Sequence, residues 1–245
     1  MLNIYILLRR WIQLSQKVLF DCDNTMGFQG RDIDDGLTFV YLLGSSRVDL
    51  LGVTTTFGNS SLDQVWRATN QLFKELGVSN IPLVKGVGKE EKHKVFGEAA
   101  YFMAETVRQY PGEVTILATG SLTNVYHASL IDEDFYRNVK QIVVIGGILE
   151  PLFLNGKELK ELNFSIDPTA AYHVLRLKTD IHVITGNLCL QSLFGQEQIN
   201  ALINFQNTWI STYLLKHIVK WIDHLDMEFD LCMVSIVGTQ LPLFI

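Results

Sequence analysis

Short apolar runs rich in β-branched residues alternate along this chain with amphipathic stretches of helical period. The runs that we predict as strands are residues 18–20, 50–55, 114–118, 141–145 and 181–185. The stretches that we predict as helices are residues 35–43, 62–76, 97–110 and 168–175. Strands that alternate with helices favour parallel pairing, because each connection crosses over the sheet through a helix. The sequence therefore predicts an α/β fold, with a mostly parallel central sheet and helices on both faces.

Length and composition predict one domain with a large interior. The chain has 245 residues, of which 48% are hydrophobic and 19% charged, a balance typical of a well-packed protein. No internal repeat, linker or low-complexity stretch marks a boundary. We therefore expect residues 17–245 to form one domain, apparently short at its C-terminus, and residues 1–16 to be an N-terminal extension.

Charge and cysteine content narrow the function classes. The net charge is −6 and no block of Lys or Arg occurs, which argues against nucleic-acid binding. The apolar opening run is too short to span a bilayer, and its charges follow it, the reverse of a secretory signal. Three cysteines without a CxxC pair predict no disulfide framework and no zinc site, hence a reducing, cytoplasmic setting. The uncharged residues 231–245 predict a buried segment and favour a homo-oligomer, a dimer or a tetramer.

Aspartates crowd the end of the first predicted strand. The five are Asp21, Asp23, Asp32, Asp34 and Asp35. Like charges this close repel one another, and a hard divalent cation such as Ca²⁺ or Mg²⁺ is their simplest counter-charge. Turns and helix N-caps also favour aspartate, which would explain Asp32 or Asp34 ahead of the first helix. That alternative does not explain Asp21 and Asp23, which follow directly on the apolar run.

Other polar residues follow the later strands. Because parallel strands open on one edge of a sheet, we expect Asn59 and the Thr119-Gly120-Ser121 turn to lie beside the aspartates. Glu161 and Asn163 are two residues apart and would share a face if extended, an arrangement suited to sugar hydroxyls. Structural alternatives remain: Asn59 as a turn residue, the Thr119 segment as a helix N-cap, and Asp167 as the cap of the next helix.

Together these motifs resemble the inosine-uridine-type nucleoside hydrolases. The matching motifs are Asp21-Cys22-Asp23, Asp34-Asp35, Gly58-Asn59, residues 119–124, Gly146-Gly147, Asn155-Gly156, residues 161–163 and Asp167-Pro168. A longer spacer, which includes Asn24-Thr25-Met26-Gly27, separates the first two motifs. The resemblance covers residues 17 to about 200 in order. It implies a Rossmann-like fold that hydrolyses the N-glycosidic bond of ribonucleosides to ribose and free base.

The resemblance also implies roles for individual residues. It implies that Asp23, Asp35, the main-chain carbonyl of Thr119 and Asp230 hold a Ca²⁺ ion, with Asp21 supporting them from behind. The residues that it implies bind the ribose hydroxyls are Asp34, Asn59, Asn155, Glu161 and Asn163. In this scheme a calcium-bound water loses its proton to Asp23 and attacks the sugar.

The C-terminal part departs from the family. Family members carry a His-Asp pair there, and its His protonates the departing base, whereas Phe229 precedes Asp230 here. Loss of such an acid costs roughly a hundredfold in rate. His224, six residues before Asp230, is a possible replacement. The chain also ends sooner after Asp230 than family members do, so we expect either a trimmed form or reduced activity.

Two other functions fit parts of the pattern. Asp21-Cys22-Asp23-Asn24-Thr25 resembles the start of haloacid-dehalogenase-type phosphatases, in which Asp21 would attack phosphate, Asp23 would be the acid and Mg²⁺ would neutralise the site. That family further requires a second acidic pair after a late strand. A nucleoside- or ribose-binding protein without catalysis would keep the sugar-binding residues and the metal but lack the leaving-group acid.

Overall fold

Six parallel strands form the central sheet, in the order β3-β2-β1-β4-β5-β8. The computed structural model describes residues 15–191, 193–194, 196–205, 207–229 and 236–237. The sheet strands are β1 (Gln16–Cys22), β2 (Val48–Thr55), β3 (Leu83–Lys85), β4 (Val114–Ala118), β5 (Gln141–Ile145) and β8 (Ile181–Ile184). Two antiparallel pairs are separate from it: β6 (Leu152–Leu154) with β7 (Lys157–Leu159), and β9 (Leu193–Phe194) with β10 (Ile236–Val237).

Helices connect most of the strands. They are α1 (Asp34–Gly44), α2 (Leu62–Glu75), α3 (Glu98–Gln109), α4 (Thr123–Ile131), α5 (Phe135–Asn138), α6 (Pro168–Val174), α7 (Gly186–Cys189), α8 (Gln196–Asn204) and α9 (Trp209–Phe229). The described helices include none that is both long and apolar enough to cross a lipid bilayer.

The strands bury side chains on both faces of the sheet. Val18 and Phe20 of β1 point to a core that includes Phe39 of α1 and residues of α2 and α9. Leu19, between them, points to a second core with Met103 of α3 and residues of α4, α5 and α6. Alternate residues of a strand face opposite sides, so a strand covered on both faces must be apolar throughout. The predicted α/β sheet with helices on both faces is therefore confirmed.

The strand order defines where a ligand can bind. From β1 the chain continues to β2 and β3 on one side, whereas β4, β5 and β8 lie on the other. Connections from the two central strands therefore leave in opposite directions and open a crevice at the carboxyl ends of β1 and β4. Asp21 of β1 pairs with Thr54 of β2 and with Ala118 of β4, which places the first aspartate motif at this crevice.

Every predicted element is present in the structure, but several further elements were not predicted. All five predicted strands and all four predicted helices are present, and β1 extends beyond its apolar run to Gln16 and Cys22. The elements that were not predicted are the short strand β3, the β6–β7 hairpin, the β9–β10 pair and helices α5, α7, α8 and α9. Asn155 and Gly156 join β6 to β7 with positive φ angles of 47° and 77°, the geometry that an Asn-Gly hairpin turn favours.

Replacement of a leucine in the central strands tests the two-sided core. Leu117 of β4 is fully buried, so Leu117→Ala should lower the free energy of unfolding by about 2–5 kcal/mol. Leu130 of α4 is 51% exposed and is the matched control, with an expected loss below about 1 kcal/mol. Urea denaturation measures both, and equal losses in the two variants would contradict the described packing.

Candidate active site

Asp23 and Asp35 form the centre of the crevice. Asp23 follows β1 directly, and its backbone N–H donates to Oδ2 of Asp35 at 2.9 Å. Both side chains are buried, and each carboxyl group affects the pKa of the other. The residue that precedes α1 is Ile33, and no side chain caps this helix. A helix-capping role therefore does not account for the aspartates.

Two glycines make room for the Asp23 carboxylate. A Cβ on Gly58 would lie 1.8 Å from Oδ2 of Asp23, and a Cβ on Gly120 would lie 3.1 Å from its Cγ. The first distance is far below any van der Waals contact, so a side chain at residue 58 would displace the carboxylate. Gly58-Asn59 and Thr119-Gly120 belong to the predicted motifs, but the sequence did not predict that their glycines make room for the Asp23 carboxylate.

Asn59 contacts the same carboxylate. Its backbone N–H donates to Oδ2 of Asp23 at 2.6 Å, and its side-chain amide lies 3.4 Å from Oδ1. The guanidinium of Arg31, in the spacer between the two aspartate motifs, donates to the Asn59 carbonyl at 2.9 Å. The turn after β2 is thus held against the end of β1 as the sequence predicts.

Asp21 lies behind this pair, on the side of α4. Its Oδ1 accepts hydrogen bonds from Thr54 Oγ1 at 2.7 Å and from Asn124 Nδ2 at 2.9 Å. Its main-chain carbonyl accepts the Thr119 N–H at 2.9 Å. Asp21 therefore supports the turn after β4 without being exposed to the crevice. The role of Asn124 as its partner was missed, although the motif of residues 119–124 contains it.

Asn163 joins the ends of two strands. Its side-chain amide donates to the Thr119 carbonyl at 2.7 Å and to the Ile145 carbonyl at 2.9 Å, the turns after β4 and β5. The structure thus brings Asn163 and Thr119 together, as the sequence predicts. Because both amide hydrogens serve the backbone, the side-chain oxygen is the atom with which Asn163 can bind a ligand.

Glu161 organises its own loop. Its carboxylate accepts hydrogen bonds from the backbone N–H groups of Gly147, Phe164 and Ser165, and from the Ser165 hydroxyl. Partial burial opposes ionisation, but these hydrogen bonds outweigh it and lower the pKa of Glu161. Glu161 and Asn163 do not lie in a strand, because the Glu161 carboxylate folds the following residues into a turn.

Three further residues have predicted roles in the site: Asp34, Asn155 and Asp230. Asp34 opens α1 beside Asp35, and after burial its charge contributes to the raised pKa of Asp23. Asn155 lies exposed in the hairpin turn between β6 and β7. Asp230, the late calcium ligand that the resemblance implies, lies outside the described residues.

His224 lies on α9, at a cavity of about 620 Å³ between the spacer, α2 and α9. Its ring packs near Gly30 of the spacer and forms an ion pair with Glu228 at 3.1 Å when protonated. Asp32 interacts electrostatically with His224 and also with Asp23. His224 therefore lies near the spacer residues Gly30 and Asp32.

Burial dominates the electrostatics of the cluster. It raises the pKa of Asp21 to about 7 and that of Asp23 to about 7, because a carboxylate loses its hydration inside the protein. Burial and the charge of Asp23 raise the pKa of Asp35 well above its ordinary value. Burial likewise raises the pKa of the Cys22 thiol, which disfavours its nucleophilic thiolate form.

The donors at the centre fit a hard cation in part. Within the described ranges no three His, Cys, Asp or Glu side chains converge as a metal site. Asp23, Asp35 and the Thr119 carbonyl nevertheless supply oxygen atoms of the kind that Ca²⁺ prefers. Oδ1 of Asp35 is buried and has no hydrogen-bond partner. Such an atom is costly to bury unless a cation or a proton compensates it.

The sequence matches one family along most of its length. Residues 18–237 match the family described as inosine-uridine preferring nucleoside hydrolase. A probable uridine nucleosidase 1 of Oryza sativa subsp. japonica is 31% identical over 198 residues, which cover 70% of this chain and 61% of the relative. An inosine-uridine preferring nucleoside hydrolase of Crithidia fasciculata is 24% identical over 207 residues, 74% of this chain and 63% of the relative. The chain thus spans about three fifths of the length of these relatives.

Solved structures share the fold. The plant nucleoside hydrolase PpNRh1 has a TM-score of 0.74 at 22% identity, and the match covers 91% of this chain and 75% of that one. A purine-preferring ribonucleoside hydrolase from Gardnerella vaginalis has a TM-score of 0.75 at 21% identity, with 91% and 77% covered.

The raised pKa values predict how stability depends on pH in chelator-treated protein. The pKa of Asp21 is about 7 in the folded state against 3.8 ordinarily, so the unfolded chain releases this proton first as pH rises. The stabilising contribution is therefore complete below pH 4 and is lost between pH 4 and 7, by roughly 4 kcal/mol at most. Asp21→Asn should make the loss between pH 4 and 7 smaller in urea denaturation, whereas the exposed Asp49→Asn should not. Equal pH dependence in Asp21→Asn and the unmodified protein would contradict the burial of this carboxyl.

Proposed function

Because the chain belongs to the inosine-uridine preferring nucleoside hydrolase family, we propose that it hydrolyses the N-glycosidic bond of ribonucleosides to ribose and free base. The observation that carries the proposal is the contact of Asp23 with Asp35 and Asn59 in the crevice between β1 and β4. These three residues come from separate motifs of the resemblance. Their contact supports a common site.

The chemistry of the bond suits this arrangement. Hydrolysis of an N-glycosidic bond passes through a ribosyl cation, and neighbouring carboxylates stabilise its positive charge. A general base must lie within hydrogen-bond reach of the water that it deprotonates, and Asp23 is the carboxylate that Asp35 and Asn59 both contact in the crevice. We assign Asp23 as the base that accepts the proton of the attacking water.

Calcium is the proposed cofactor. Asp23, Asp35, the Thr119 carbonyl and Asp230 would hold the ion, and its charge would lower the pKa of a water molecule and orient the ribose hydroxyls. Asp21 would act behind them, since its carbonyl accepts the N–H and hydroxyl of Thr119 and thereby orients that turn. The unpartnered Oδ1 of Asp35 supports this assignment over a purely structural one.

The residues that we propose to bind ribose are those that the family resemblance implies. Asn59 and Asn163 have the strongest support, because each contacts a proposed calcium ligand. Asp34 adjoins Asp35, Glu161 shapes the loop that carries Asn163, and Asn155 lies in the hairpin before that loop. These contacts would hold the bound sugar in one orientation in the crevice.

His224 is the proposed leaving-group acid. Its position at the cavity beside Gly30, and its electrostatic link through Asp32 to the cluster, support a role at the side where the base departs. Base preference depends on side chains around this cavity. We further propose a cytoplasmic location and a homo-oligomer.

The two alternative functions differ in their support. A phosphatase would need Asp21 as an exposed nucleophile, but Asp21 is fully buried and its Oδ1 already accepts two hydrogen bonds. A nucleoside-binding protein without catalysis would keep Asp23, Asp35 and Asn59 as they are. It differs from the proposed enzyme in turnover.

Substitution of the central carboxylates tests the proposal. Asp23→Asn and Asp35→Asn should each abolish measurable Ca²⁺ binding, because each removes an anionic oxygen from the site, and should lower nucleoside hydrolysis by at least about a hundredfold. Calorimetry with Ca²⁺ and release of free base from uridine and inosine measure the two effects. Asp49→Asn, exposed on β2, is the matched control and should behave as the unmodified protein.

Three results separate the possibilities. Wild-type hydrolysis in Asp23→Asn or Asp35→Asn would refute the assigned site. Ca²⁺-dependent binding of ribose or a nucleoside by the unmodified protein, without base release, would instead favour the binding-protein function. Turnover of a generic phosphate ester together with indifference to nucleosides would favour the phosphatase.

A further inference from the structure

Lys92 is largely buried, although its neighbours in the segment that connects β3 to α3 are mostly exposed. Residues 86–97 connect β3 to α3, and most of residues 88–96 are exposed to solvent. The Lys92 side chain is only 14% exposed. A lysine loses hydration when it is buried, so a buried ammonium needs compensating partners.

The ammonium of Lys92 has three such partners. Its Nζ donates to the Ile166 carbonyl at 2.9 Å and lies 3.4 Å from Oδ1 of Asp167. It also lies 5.8 Å from the centre of the Phe57 ring, within the range of a cation–π interaction. The main-chain carbonyl of Lys92 is 2.7 Å from Nε2 of His127, which donates to it in the matching tautomer. The ammonium group and the main-chain carbonyl of Lys92 are therefore both held in place.

These partners belong to the two loops that carry the proposed ribose-binding residues. Phe57 is buried and precedes Gly58 and Asn59, and the Asn59 N–H donates to Asp23. Ile166 and Asp167 end the loop that carries Asn163, which donates to the Thr119 carbonyl. One ammonium group thus contacts both the turn after β2 and the loop before α6.

Lys92 is the charged partner of the Asp167 carboxylate. Its side chain is buried, its Oδ2 accepts from the Thr123 hydroxyl at 2.6 Å, and its Oδ1 accepts from the Ala170 N–H at 3.2 Å. The predicted helix cap is thereby confirmed, but neither of those partners carries a charge. Lys92 supplies the positive charge, and its removal would leave a buried carboxylate uncompensated.

We propose that Lys92 is a positioning residue for the ribose site: it ties segment 86–97 to both loops and thereby sets the spacing between Asn59 and Asn163. The inference rests on the proposed function for its substrate, a ribonucleoside. The tie itself is a property of the folded chain and can be measured without substrate.

Lys92→Met tests the positioning, because methionine keeps most of the apolar stem and removes the ammonium. The expected result is a KM for uridine or inosine raised roughly tenfold with kcat within about threefold, since residues that hold the ribose bind substrate and transition state alike. Lys92→Arg keeps the charge and should recover part of the KM. Lys94→Met, exposed in the same segment, is the matched control and should leave both constants unchanged.

Limited trypsin digestion measures the tie without substrate. Release of segment 86–97 in Lys92→Met should raise the rate of cleavage after Lys89 and Lys94 several-fold, because proteases cut segments that open locally. If the unmodified protein does not hydrolyse nucleosides, the proposed function is wrong, and the rate of tryptic cleavage alone then tests the role of Lys92. Unchanged cleavage in Lys92→Met would overturn it in either case.

A double variant distinguishes a KM that rises through lost positioning from one that rises through lost stability. Lys92→Met with Asp167→Asn removes both charges, so no unpaired carboxylate remains and thermal stability should exceed that of Lys92→Met alone. The raised KM should persist in the double variant, because the tie between the loops is still missing. A wild-type KM in the double variant, or in a folded Lys92→Met, would overturn the positioning role.

Discussion

The burial of two carboxyl groups against each other, Asp23 and Asp35, is the constraint on which the site depends. Two adjacent negative charges in a region of low dielectric are strongly unfavourable, so the pair must hold a proton or a cation. The neighbouring residues preserve this unfavourable arrangement. Gly58 and Gly120 leave space for Asp23, and the Asn59 N–H donates to it. Structural stability alone does not favour such a pair, which is why we assign it a function.

The parallel sheet makes this arrangement possible. Because the connections from β1 and β4 diverge, the turns after these strands leave a crevice, and hydrogen bonds hold these turns in place. Asp21, near the end of β1, accepts the N–H of Thr119 in the turn after β4, and Asn163 joins that turn to the end of β5. Lys92 then contacts the loops on either side. The site is therefore positioned by polar contacts between loops on a rigid apolar sheet.

Sequence reasoning was sufficient where the information is local. Strands β4 and β5 were predicted with their observed bounds because their apolar runs end at polar or glycine residues. β1 was predicted too short, since backbone pairing continues through Asp21 after the apolar run ends. The turn at Glu161 was missed because it depends on which way one carboxylate points. The Lys92 anchor joins residues 74 positions apart, a contact that no local pattern encodes.

Calcium titration by calorimetry at pH 7, in two buffers of different ionisation enthalpy, tests the central claim most directly. If the Asp23–Asp35 pair is a cation site, Ca²⁺ should bind with net release of protons, because burial raises the pKa of Asp23 to about 7 and the ion displaces the protons that the pair retains. Asp35→Asn should remove both the binding and the proton release. Absence of Ca²⁺ binding would contradict the assignment of these carboxylates as the cation site. So would Ca²⁺ binding that releases no protons and is unchanged in Asp35→Asn.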